Sequence, residues 1–208
     1  MTPSGTGESA LRMIRDEHRT LTSVIRSLQL LAHDAVRAPA TPDFELFTVI
    51  LDYIEMFPDR FHHPKEDEHL FARVRQRSAT AATVLDTLEA EHRRGEELTR
   101  SLRHLLARWR LRGAEVAKMF EGAVDAYADF HWEHVRKEED VVMPLAETVL
   151  TEEDWRAIAD AFAGNADLRL GAPDKHELEA LFRLILNRAP SPIGLAQPGE
   201  ERPGAITT

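Results

Sequence analysis

Apolar positions along this chain recur at helical spacing. From about Ser9 to Asp34 they fall at Leu11, Ile14, Leu21, Ile25 and Leu28. Steps of three, four and seven trace one stripe of a helix. His18 fills the gap between Ile14 and Leu21. The segment Arg37-Ala-Pro-Ala-Thr-Pro breaks the pattern, and Thr41-Pro-Asp reads as a new start, with Pro in the first turn and Asp at the positive end of the dipole. The second helix is predicted from about Asp43 to Gln76, with Phe47, Ile50, Ile54 and Phe57 as its early stripe. Pro58 and Pro64 predict a kink or short break between Phe57 and Pro64. The third, about Thr80 to Arg110, carries Leu85, Leu88, His92, Leu102, Leu106 and Trp109 on one face, with Gly95 and Thr99 as its small members. Leu111-Arg-Gly is a turn. The fourth, about Ala114 to Thr148, has Phe120, Ala123, Tyr127, His131, His134, Glu138, Val141 and Leu145 as its stripe.

Four long helices with short connections predict an all-α fold, an up-down-up-down antiparallel four-helix bundle. Additional short C-terminal helices are expected from Thr151 to near Gly164 and from Asp174 to Arg188. The expected organisation is a flexible N-terminus over 1–8, the bundle over 9–150, a helical extension over 151–188, and a Pro/Gly-rich tail over 189–208. The extension is expected to cap the bundle or to form a homodimer contact.

Composition narrows the function classes. The chain has 208 residues, of which 43% are hydrophobic, enough for one sizeable core. A net charge of −10 argues against gripping phosphate backbones, so no nucleic-acid partner is expected. There is no Cys, which excludes disulfides, Cys-ligated clusters and thiol catalysis. No apolar run approaches the ~18–20 residues that span a bilayer, so no membrane partner is expected. The first residues lack a basic segment followed by an apolar one, and the expected location is the cytoplasm.

The ten histidines carry the chemistry, through a repeat. Lys65-Glu-Asp-Glu-His-Leu-Phe aligns with Lys137-Glu-Glu-Asp-Val-Val-Met at an offset of 72, and Asp16-Glu17-His18 with Ala90-Glu91-His92 at an offset of 74. Each helix pair thus has one lone His on its first helix and one His-x-x-x-Glu on its second, His62…Glu66 and His134…Glu138. Residues four apart share a helix face, so an imidazole and a carboxylate reach a common point. Four nitrogens and two carboxylates in a bundle core need a partner, because unpaired buried charge costs several kcal/mol. A pair of cations resolves this, with carboxylates bridging and imidazoles outside. Mixed imidazole and carboxylate donors suit iron or manganese, and zinc less comfortably. The candidate ligands are therefore His18, His62, Glu66, His92, His134 and Glu138. His63 competes with His62, His131 is one turn before His134, His69 is three residues from Glu66, and Glu96 is four from His92. Asp67, Glu68, Glu139 and Asp140 are expected on a solvated face, and His33, His104 and His176 on the surface.

The order His18, His62-x-x-x-Glu66, His92, His134-x-x-x-Glu138 resembles the hemerythrin-like, or HHE cation-binding, family. The segments Phe61-His-His-Pro-Lys-Glu-Asp-Glu-His-Leu-Phe and Phe130-His-Trp-Glu-His-Val-Arg-Lys-Glu-Glu-Asp-Val-Val-Met-Pro resemble its two signatures, and the likeness covers about residues 9–148. The resemblance implies two iron ions with an oxo or hydroxo bridge in a four-helix bundle. It also implies a small partner, oxygen, nitric oxide or peroxide, bound or sensed, or the handling of iron under oxidative or nitrosative stress. Oxygen-carrying members place two histidines four apart on the third helix. Here His92 is followed by Glu96, which is closer to the bacterial sensing and repair branch. The N-terminal Cys-bearing domain of that repair branch has no counterpart in this Cys-free chain.

Two other readings compete. A ferritin-like di-iron oxidase or peroxidase needs a lone Glu on two helices and Glu-x-x-His on the others. Glu66-x-x-His69 and Glu89-x-x-His92 match that string on consecutive helices, whereas the ferritin pattern alternates them. The other reading is a metal-free helical interaction module, with the histidines satisfied by buried carboxylates. Whether the chain is an enzyme is left open by the sequence.

Overall fold

A computed structural model of the chain describes residues 5–37, 41–166 and 173–189. Among these residues there are helices and short connections and no strands. The first helix, α1, spans Gly5–Arg37, and α2 runs through residues 44–77. Next come α3 (Ala82–Arg112), α4 (residues 114–149), α5 (Glu152–Ala166) and α6 (Pro173–Arg188). Residues 1–4 and 190–208, which hold the ends of the expected flexible N-terminus and the Pro/Gly-rich tail, lie outside the described residues.

The boundaries follow local chemistry. Asp43 caps α2, its carboxylate accepting the Leu46 N–H at 3.0 Å. Gly113, at φ 68°, closes α3 in the left-handed region, and its N–H donates to the Trp109 carbonyl at 2.8 Å. α1 starts at Gly5, inside the stretch expected to be flexible. It does so because α5 packs on it. Gly7 lies against Trp155, and Thr6 Oγ1 donates to Glu152 at 2.8 Å.

The two prolines of α2 do not break it. Pro58–His62 and Glu66–Phe71 are π turns set into an otherwise α-helical run. The His63 N–H reaches back five residues to Pro58, and the Ala72 N–H to Asp67. A π turn absorbs one extra residue and recurs at functional sites. α4 carries the matching π turn, Glu138–Val142, at the equivalent place in the repeat. It corrects the expected stripe: Val142 and Ala146 are buried, whereas Val141 is 47% exposed. One inserted residue rotates everything after Glu138 by one position.

α1 packs on α2 and α4, and α3 also packs on α2 and α4, so the four form a closed ring. α5 lies on α1, and α6 on α2. The core has two apolar clusters. One holds Ala10, Leu11 and Ile14 of α1, Leu70 and Phe71 of α2, Leu85 and Leu88 of α3, and Val142 and Met143 of α4. The other holds Leu21 to Leu28 of α1, Leu46 to Phe57 of α2, Leu102 to Trp109 of α3, and Val116 to Ala128 of α4. On every helix the candidate ligands fall between the two. Their order along the chain alternates from helix to helix. α5 extends the first cluster with Trp155, Ile158 and Phe162, and α6 extends the second with Ile185. No described helix is long and apolar enough to cross a membrane.

Candidate metal centre

Between the two apolar clusters lies a layer of buried polar side chains: His18, His62, Glu66, His92, His131, His134 and Glu138. The two carboxylates are the most enclosed, Glu66 at 0% and Glu138 at 1% exposure. Their oxygens stand among the imidazoles. Glu66 Oε1 is 3.4 Å from both His18 Nε2 and His62 Nε2, and Oε2 is 3.6 Å from His92 Nε2. Glu138 Oε1 is 3.2 Å from His134 Nε2 and 3.6 Å from His92 Nε2, and Oε2 is 3.3 Å from His18 Nε2. Each carboxylate therefore touches one imidazole set with one oxygen and the other set with the second. Donors 2.0–2.2 Å from a common cation at right angles stand about 3 Å apart.

The hydrogen bonds do not close this cluster. Glu66 Oε2, both Glu138 oxygens, His92 Nε2 and His134 Nε2 are buried and make none. Buried polar atoms are normally paired, and five such orphans converging on one point require an explanation. Cations supply it. Ligand atoms of Glu66, His92, His134 and Glu138 all lie within 4.8 Å of one another, as do those of His18, His62 and Glu66. The donor set is imidazole and carboxylate, which suits iron or manganese.

The other ring nitrogens are each tied to a carboxylate. Nδ1 of His18 meets Glu139 at 2.9 Å, Nδ1 of His62 meets Glu17 at 2.8 Å, Nδ1 of His92 meets Asp67 at 2.9 Å, and Nδ1 of His134 meets Glu91 at 3.1 Å. An imidazole that donates one N–H to a carboxylate presents its other nitrogen, oriented and more basic, to a cation. The pattern obeys the repeat. The Glu before each lone His holds the His of the following helix, and the acid after each buried Glu holds the lone His of the other pair. Asp67 and Glu139 thus leave the solvated face assigned to them from sequence. Glu17 and Glu91 were not singled out, although each stands directly before a candidate ligand.

The protonation of the cluster reflects this crowding. Burial alone would lower the His18 pKa, but Glu139 and Glu66 raise it to about 10. Burial likewise opposes His134, which Glu138 and Glu91 raise to about 10, and His92, which Asp67 and Glu138 raise to about 9. Burial would raise Glu138, yet His134, His92 and His18 hold it well below the usual carboxylate range. In the metal-free protein His18, His92 and His134 stand as imidazolium beside the ionised Glu138, and a cation binds there by displacing protons.

The remaining candidates divide. His62 faces Glu66, and its neighbour His63 does not: the His63 ring lies flat on His92, with centroids 4.1 Å apart and planes 10° apart. His63, His92 and His134 each offer an atom within 4.8 Å of the others. An imidazole holds a cation in its ring plane, however. A cation on His92 Nε2 lies a stacking distance out of the His63 plane, so His63 packs on a candidate ligand and does not share its ion. His63 Nδ1 is 3.9 Å from Asp59, a carboxyl that burial, Glu96 and Glu55 push up to about 7. His131 is buried in the layer, with Nε2 unpartnered and its pKa pushed down to about 3 by burial and by His134 and His18. The structure does not bring His69 or Glu96 to the centre. The Glu66–Phe71 π turn puts Leu70 and Phe71 inward and leaves His69 half-buried. Glu96 is 49% exposed beside Arg100 at 3.9 Å. His33 is 34% exposed and pairs with Asp125 at 2.9 Å. The side chain of His176 lies outside the described residues.

No curated protein matches the chain. The family model of the hemerythrin HHE cation-binding domain matches residues 9–146, which run from the first turns of α1 to the last turn of α4. The chain belongs to the hemerythrin HHE cation-binding domain family.

Proposed function

We propose that this chain is a non-haem di-iron protein of the hemerythrin type. It binds a small ligand, oxygen, nitric oxide or peroxide, to sense or store it, or handles iron under oxidative or nitrosative stress, in the cytoplasm. His18, His62 and Glu66 hold one ion, and His92, His134 and Glu138 the other, with each carboxylate reaching both sets. The observation that carries this reading is the convergence of five buried donor atoms, which make no hydrogen bond, on the point where the two carboxylates meet four imidazoles. A ferrous pair held by these residues would supply reducing electrons to a small ligand. The chain's own residues do the rest. Glu17, Asp67, Glu91 and Glu139 fix the imidazole orientations. The two apolar clusters above and below the layer exclude water.

A ferritin-like oxidase is not favoured, because His18 stands where that class needs a Glu and His69 lies off the centre. The test is the iron content per chain after anaerobic reconstitution with ferrous iron and removal of loose metal. The expected result is about two per chain. Zero iron with unchanged thermal stability would overturn the reading and leave a helical interaction module.

A further inference from the structure

The two halves of the repeat agree throughout the ligand ring and part company just outside it. Shifted by 72 residues, Asp59 falls on His131 and His63 falls on Val135. On the His92 side, the His63 ring covers the candidate ligand at 4.1 Å and has Asp59 at 3.9 Å from its Nδ1. On the His18 side, the counterpart of His63 is an aliphatic side chain, and the counterpart of Asp59 is His131.

His131 is 5% exposed and belongs to neither of the His/Glu groups that could hold an ion, nor to the one that includes His63. It stands one turn before His134 on α4, in the same buried layer as the candidate ligands of both ions. Its Nε2 is buried and makes no hydrogen bond. An unmet buried polar atom is destabilising, and a native structure keeps one where something else supplies the partner. A cation does not fit that role here, because no group of three or more donor atoms in the described residues includes this nitrogen. A small polar molecule held at the metal pair does.

We propose that His131 faces the bound ligand: its Nε2 hydrogen-bonds the outer atom of a small polar molecule held at the metal pair on the His18 and His62 side, and so selects for ligands that have a polar outer atom. This rests on the reading of the chain as a two-metal protein. Val135 in place of a second stacked imidazole leaves that side to the ligand, while His63 closes the other.

The test compares wild type with His131→Leu and His131→Gln, each reconstituted anaerobically with ferrous iron. Three quantities are read: iron per chain, azide affinity of the oxidised protein, and the N–O stretch of nitric oxide held by the reduced protein, in water and in deuterium oxide. All three proteins should take up the same iron. A neutral hydrogen bond corresponds to about a threefold to tenfold change, so His131→Leu should weaken azide binding by that factor. It should also shift the N–O stretch and abolish its solvent-isotope shift, and His131→Gln should recover part of both. His131→Met keeps the volume without an N–H and carries the same test where the leucine variant does not fold. Unchanged azide affinity and stretch would overturn the proposal. Loss of one iron would overturn it too, by making His131 a ligand. Wild type that takes up no iron would instead refute the two-metal reading itself, so the two failures are distinguishable.

Discussion

The two helix pairs of the bundle carry the same ring of charge and different bulk around it. Glu17, His18, His62, Glu66 and Asp67 in the first pair match Glu91, His92, His134, Glu138 and Glu139 in the second, contact for contact. Around this ring the match fails. Three and seven residues after His18 come Leu21 and Ile25, whereas the same steps after His92 reach Gly95 and Thr99. In the register of the repeat, Asp59 and His63 correspond to His131 and Val135. The difference separates two tasks. Holding two like cations asks for like donors, so the ring is symmetric. On the proposed function, giving a ligand one side of the pair asks for unlike neighbours, and those are where the repeat has diverged.

The largest expected effect tests the symmetric part. Glu66→Ala and Glu138→Ala should each abolish two-metal loading, since each carboxylate touches both imidazole sets. In the metal-free protein, removing one partner of a buried ionic cluster costs about 3–5 kcal/mol. Iron analysis and denaturant titration of both variants check this. A large loss in only one of them would break the equivalence of the halves.

Next comes pH. His18 and His134 at about 10 and His92 at about 9 stand above the ordinary imidazole value of 6.5. A raised pKa means the folded state holds the proton more tightly than the unfolded chain. The stabilisation is therefore full below pH 6.5 and is lost as pH rises through 9 and 10. Denaturant titrations of metal-free protein at pH 6, 8 and 10 should show falling stability. Metal uptake at pH 7 should release protons from these three imidazoles, so apparent affinity should rise with pH. Proton release measured in two buffers of different ionisation enthalpy checks the sign. Metal uptake with no proton release would contradict the imidazolium–carboxylate description of the metal-free layer.

Smaller effects come from the carboxylates behind the ring. Glu17→Gln and Asp67→Asn should each lower metal affinity by about 10- to 100-fold, as the loss of an imidazole's orienting partner does elsewhere. Glu91→Gln should do the same, and it also releases Lys137, which pairs with Glu91. Competition with a chelator measures all three. A ring in which Glu17 and Glu91 differ by more than Lys137 explains would weaken the two-fold description.

Much of this was legible in the sequence, and what was not has a common physical cause. The third helix reads correctly along its length: Leu85, Leu88, His92, Gly95, Thr99, Leu102, Leu106 and Trp109 are all buried. It is regular, so a period of 3.6 holds throughout. α4 reads correctly up to its motif and slips beyond it at Val141; α2 runs on through Pro58 and Pro64, where the prolines predict a kink or break, and slips at His69, because a π turn adds a residue that periodicity does not count. Two of the four orienting carboxylates, Asp67 and Glu139, read as solvated for another reason. Asp67 and Glu139 are each about a third exposed, and spacing alone cannot tell an acid that reaches across to a neighbouring helix from one that faces water. The signal available was the repeat itself, which places a Glu before each lone His and an acid after each buried Glu.

The smallest effect concerns the divergent small residue Gly95. Two reasons for a glycine there can be told apart. A close approach of helices would leave no room for a Cβ, as at Gly7, where a Cβ would stand 3.0 Å from the Trp155 ring. At Gly95 a Cβ would meet only Phe130, at 3.8 Å, which is ordinary contact. Gly7→Ala should therefore destabilise the α1–α5 contact. Gly95→Ala should stabilise the protein by about 0.5–1 kcal/mol, because alanine has less backbone freedom to lose in a helix. For a chain of this size that is a rise in Tm of about 1–4 °C. Iron content should not change, since Gly95 supplies no donor. Azide affinity separates what remains. If it too is unchanged, the space beside His92 serves no ligand, and the asymmetry that matters lies on the His131 side. If it falls while Tm rises, the ligand reaches the His92 side as well, and the contrast drawn between the two halves has to be given up.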